Sequence, residues 1–85
     1  MQTIQNLVIH KETLSLEFVE TIQKRYEIIT RKVIIRHTPG YYPFIVEFYR
    51  LGESKPYRIQ KKVSKEHILL AQQLADIHHE QSMQS

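Results

Sequence analysis

The chain contains no cysteine, which excludes disulfides, thiolate nucleophiles and cysteine-ligated metals together. It has only two glycines, too few for a glycine-rich phosphate loop. Tryptophan is absent. No apolar run approaches the ~18 residues that would suggest a membrane span. The opening residues, Met1-Gln2-Thr3-Ile4-Gln5-Asn6, lack the basic-then-apolar layout of a signal peptide. These absences point to a reducing, cytoplasmic setting, no membrane, and a fold held by packing.

What remains is 85 residues, which reads as one domain over 1–85 with a polar tail at about 81–85. A chain of this size buries about 60% of its unfolded surface. One modest core fits, with little room for an enclosed active-site pocket, and no small-molecule substrate is expected.

Charge is unevenly placed. Residues 31–65 carry nine Lys and Arg against two Glu, although the whole chain is only +3. Residues 1–30 carry three cations against four carboxylates, and residues 66–85 carry three carboxylates and no cation. Such asymmetry bears on partners, not on fold.

Thr38-Pro39-Gly40 and Gly52-Glu53-Ser54-Lys55-Pro56 are turn signals. They separate three short segments rich in β-branched and aromatic residues: 32–37, 44–51 and 57–63. Short connections favour an antiparallel meander. Ser64 reads as a helix N-cap, with Glu66 near the positive end of the dipole. Leu70, Leu74 and Ile77 recur at helical spacing and predict a helix over about 65–80. In the first third, Val19, Ile22, Tyr26, Ile29 and Val33 recur at spacings of three and four, which predicts a helix over about 15–29. Leu14, Leu16 and Phe18 alternate, so a strand competes locally. Ile28, Ile29 and Thr30 are poor helix formers, which could end the helix near Arg25. Ile4 to Ile9 is a candidate extra strand.

The expected fold is therefore α+β: an antiparallel sheet of three strands, with a candidate fourth, and two helices on one face, in the order (β)-α-β-β-β-α. Val33, Ile35, Phe44, Val46, Phe48, Tyr57, Ile59 and Val63 should face the helices. An α-β-β-β-α order also occurs in double-stranded-RNA-binding domains, whose last helix opens on a basic cluster. Here Lys61 and Lys62 precede Ser64, and Glu66 and His67 follow Lys65. The order is fold-level analogy and assigns nothing.

No catalytic set emerges. The serines fall at caps, turns or the tail, and Glu17 and Glu20 suit a helix start. Five histidines invite a metal, yet His78 and His79 project about 100° apart on a helix, and His67 and His78 lie ~16 Å apart along it. No metal or cofactor is expected, and no enzyme.

The aromatic residues are more informative. Tyr41, Tyr42, Phe44, Phe48, Tyr49 and Tyr57 are six of the chain's eight aromatics. Alternation puts Lys32, Arg36, Tyr49, Arg58 and Lys62 on the outer sheet face, with Arg50 near its edge. Ile34, Ile45 and Leu51 form an apolar patch beside Tyr49, and Tyr41 and Tyr42 sit in a turn. Interleaved rings and cations suit nucleic acid. An apolar patch with Tyr and Arg suits a protein. The expected function is a non-enzymatic binding module, regulatory or adaptor in role, that docks on an acidic protein. Nucleic acid is the alternative partner, and a second copy of the chain is a further candidate.

Overall fold

Alternation with a period of two governs most of the chain, and it produces strands where helical spacing suggested a helix. The computed structural model describes residues 2–40 and 42–83. Five strands form one antiparallel sheet in sequence order. They are β1 (Gln2–His10), β2 (Ser15–Gln23), β3 (Ile28–His37), β4 (Phe44–Arg50) and β5 (Arg58–Gln60). A 3-10 turn, Lys65–His67, leads into one helix, α1 (Ile68–Met83). The fold is a five-stranded meander with one C-terminal helix, which overturns the expectation of three or four strands under two helices.

The expected first helix is β2 and the start of β3. Leu16, Phe18, Glu20 and Ile22 point one way along β2, and Glu17, Val19 and Thr21 the other, as the pairing with β3 requires. The apparent helical stripe merged residues from two strands across a turn. Val19 lies on one face of the sheet, while Ile22, Ile29 and Val33 lie on the other. Tyr26 sits at the hairpin tip and is 88% exposed. Repeated β-branched residues, stiff at χ1, fit the pleated sheet better than a helix. Ser15 caps no helix; it opens β2, with its hydroxyl 2.8 Å from that of Thr13. The candidate strand at Ile4 to Ile9 is β1, with a bulge between Gln5 and Val8 where Asn6 adopts φ 57°.

One face of the sheet lies under α1. Leu16, Phe18, Val33, Ile35, Val46 and Phe48 form the core with Ala71 and Leu74. Ile9, Phe44, Val63 and Leu70 pack against its margin. At the helix C-terminal half, the His78 ring meets His37 at 5.2 Å, and Gln81 Nε2 donates to the Lys11 carbonyl at 3.2 Å. The helix continues through Met83, so Gln81 and Ser82 are helical rather than tail. Ser64 takes the N-cap position without the expected side-chain cap; its hydroxyl instead accepts from Gln60 Nε2 at 3.1 Å.

Leu74 is fully buried. Its replacement by Ala should destabilise the fold by about 2–5 kcal/mol. Urea melts check this, with exposed Gln73→Ala as the control.

Candidate functional site

The residues expected on one basic face divide between two. Strand register settles the division. Lys32 pairs with Tyr49, Ile34 with Glu47, and Arg36 with Ile45, so all six share the face away from α1. Glu17 joins them across from Ile34, and Ile59 across from Glu47. Arg58 pairs with Phe48 and so belongs to the helix side, opposite to expectation. The cause is the shortness of β5. Tyr57 precedes the strand, donating its N–H to the Phe48 carbonyl at 2.9 Å, and Ile59 faces outward, 59% exposed. Lys62 lies beyond the strand. Arg50 pairs with Arg31 on the helix side, and Leu51 is exposed in the following turn. Tyr41 lies outside the described residues.

The open face is consequently close to neutral. Lys32 and Arg36 are matched by Glu17 and Glu47. Arg36 Nε donates to Glu47 Oε1 at 2.7 Å, and His10 Nε2 lies 3.0 Å from Glu17 Oε1. The Lys32 ammonium sits over the Tyr49 ring, 4.7 Å from its centroid. Tyr49 is buried beneath these neighbours although no helix covers it. That burial, with the Glu47 carboxylate beside it, pushes the Tyr49 phenol above its ordinary pKa.

Four other cations gather elsewhere. Arg58, Lys61, Lys62 and Lys65 line an open groove of about 920 Å³ between β5 and the start of α1. Its apolar lining is Ile59, Val63 and Ile68. Among the described residues lining it there is no carboxylate. Lys61 Nζ lies over the exposed Tyr42 ring, 4.2 Å from the centroid, which links the turn aromatic to the groove. The groove exists because β5 ends after three residues and the chain must climb from the sheet edge onto the helix side. A run of cations forced through that short connection cannot spread out.

A second polar constellation lies at residues for which sequence spacing suggests no site. Glu20, fully buried, accepts from Gln2 Nε2 at 2.8 Å, from Arg31 Nε at 2.6 Å and from His67 Nε2 at 2.8 Å. Desolvation alone would raise its pKa. The hydrogen bonds from His67, Arg31 and Gln2 outweigh that and hold the carboxyl at about 2. An ionised Glu20 only accepts, so His67 carries its proton on Nε2. The Arg31 guanidinium also lies over Phe48, 4.0 Å from the ring centroid, and donates from Nη1 to the Tyr57 hydroxyl at 3.1 Å. A cleft of about 250 Å³ adjoins the cluster. The remaining ring nitrogen, His67 Nδ1, is buried and has no hydrogen-bond partner. A general base needs a nitrogen within reach of substrate, and this one is closed off. The cluster ties the start of the helix to the sheet. Its one signal in the sequence is a carboxylate at an inward position of an alternating run, Leu16, Phe18, Glu20, Ile22.

No group of three or more potential metal ligands forms among the described residues. No helix among them is long and apolar enough to cross a membrane. The chain matches no family model, no curated protein and no solved structure.

Proposed function

We propose that this protein is a non-enzymatic binding module, regulatory or adaptor in role and cytoplasmic, that docks an acidic protein segment into the groove beside β5. The observation that carries this reading is the gathering of Arg58, Lys61, Lys62 and Lys65 around an apolar lining with no carboxylate among them. Four cations at one rim raise the local concentration of anionic partners and speed encounter. Ile59 and Ile68, both more than half exposed, offer apolar contact that a phosphate backbone would not use. An acidic segment with interspersed leucines satisfies both features.

Nucleic acid is the second reading, and Tyr42 under Lys61 favours it, because a ring beside a cation can stack on a base. The two partners separate by salt response. Binding to a phosphate backbone falls steeply with salt through counterion release, whereas apolar contacts persist when charges are screened.

Fluorescence anisotropy tests this with three labelled probes: an acidic leucine-containing peptide, single-stranded DNA and duplex DNA. The titrations run from about 50 to about 300 mM salt. The peptide should bind, keep measurable affinity at high salt, and lose about tenfold or more, ~1.4 kcal/mol, on combined Lys61→Glu, Lys62→Glu and Lys65→Glu. Binding of DNA alone, with a steep salt slope, would replace the protein partner by nucleic acid. An unchanged peptide affinity in the triple variant would remove the groove from the account.

A further inference from the structure

The two edges of the sheet are built differently. β5 is three residues long, follows Pro56 closely, and is flanked by Arg58, Lys61 and Lys62. Shortness, proline and lysine are the usual guards against edge pairing. β1, at the other edge, is nine residues long and contains no Asp, Glu, Lys, Arg or Pro. Its Ile4, Leu7 and Val8 are exposed at 37%, 42% and 45%. A chain with 12 Lys and Arg and 9 Asp and Glu has placed none of them on its longest open edge.

We propose that the free edge of β1 pairs antiparallel with β1 of a second copy of this chain. An uncharged strand offers an acidic or basic partner nothing to match, but it meets its own copy without like charges opposed. Antiparallel self-pairing is also the isologous, closed arrangement that two-fold dimers use.

The bulge sets the register. Opposed side chains in a sheet must lie on the same face. Before the bulge, Ile4 pairs with Glu20 and faces α1, while Thr3 and Gln5 face away. After it, Ile9 pairs with Leu16 and faces α1, while Val8 and His10 face away. A two-fold axis between Asn6 and Leu7 therefore sets Ile4 opposite Ile9 of the second copy. It also sets Gln5 opposite Val8 and Thr3 opposite His10, each on matching faces. The bulge, which would otherwise blunt the edge, lies at the axis, and the regular arms on either side do the pairing. Both helices then lie on one side of a ten-stranded sheet, with the basic grooves at its two far ends.

The absence of native cysteine makes the test direct. In the Thr3→Cys/His10→Cys double variant, the two thiols of one chain stand seven residues apart, about 23 Å along the strand, too far to join. In the dimer each lies directly opposite the other position of the second copy. Mild oxidation should convert the double variant to a covalent dimer, and neither single variant should respond. Sedimentation equilibrium of the unmodified chain should show twice the monomer mass at submillimolar concentration, and Ile4→Lys/Val8→Lys should return it to monomer with an unchanged circular dichroism spectrum. A chain that stays monomeric from micromolar to submillimolar concentration overturns the proposal. So does a dimer that survives the lysine pair, or one that the double-cysteine variant fails to trap. None of these results touches the groove at the opposite edge, whose peptide affinity is read separately.

Discussion

Replacing Glu20 with alanine should destabilise the protein by about 3–5 kcal/mol in denaturant melts. The substitution removes the one carboxylate that receives Gln2, Arg31 and His67, at 2.8, 2.6 and 2.8 Å. It leaves a mostly buried guanidinium without its counter-charge and a buried imidazole that has lost its carboxylate partner and whose Nδ1 already lacks one. A pair broken from one side is far more damaging than a pair never made, because the orphaned charge keeps its desolvation penalty. The same carboxylate gives stability a pH dependence with a defined sign. Its folded pKa of about 2 lies below the ordinary 4.5. The contribution is therefore fully present above about 4.5 and is lost as pH falls toward and through 2. Its size is on the order of 3 kcal/mol. Glu20→Gln should be less stable than the unmodified chain at neutral pH, and its stability should change less between pH 4.5 and 2. Urea melts across that window read both quantities. An unchanged slope would place the acid sensitivity elsewhere.

Phe18→Ala should cost about 3–5 kcal/mol, while Val19→Ala, one residue along, should cost far less. Phe18 is 1% exposed in the core, with its ring 5.3 Å from that of His67. Val19 is only half-buried, on the face that no helix covers. Such a contrast between neighbours is the signature of a strand. A helix over 15–29, with the apolar stripe of Val19, Ile22 and Tyr26 and with Phe18 adjacent to it, would abolish the contrast, because Val19 would be costly as well. Paired thermal and urea melts of the two variants decide between the geometries.

Those two residues also show where the sequence is ambiguous. In β3 and β4 the core positions follow the strand period, and Val33, Ile35, Val46 and Phe48 are all buried where period two puts them. The C-terminal helix is equally legible, because Leu70, Ala71, Leu74 and Ile77 recur at helical spacing on one face. The first third carries both periods at once. Val19, Ile22 and Ile29 satisfy a helical wheel, while Leu16, Phe18, Glu20 and Ile22 satisfy a strand; only the pairing with β3 decides. The same limit applies to β5. Tyr57 and Ile59 alternate, but where the strand begins is set by the pairing of Phe48 with Arg58 and cannot be read locally. Misplacing that start put Arg58 on the wrong face. The basic segment itself was visible in the charge count; its focus into a groove was not, since it follows from where β5 stops. Glu20 and His67 stand 47 positions apart, and nothing near either residue announces the other.

Because every strand bonds to its neighbour in sequence, the chain can assemble hairpin by hairpin, and each step closes a short loop at small entropic cost. The helix is different. Its anchors reach back 47 residues from His67 to Glu20 and 70 from Gln81 to Lys11. Such contacts form only once the sheet has brought the distant partners to hand, which makes helix docking the slow, late event of folding. The groove beside β5 is shaped by the same connection that carries the chain from sheet to helix. The groove therefore takes its shape with the docking of the helix, and a partially assembled sheet displays the cations without the cleft that organises them.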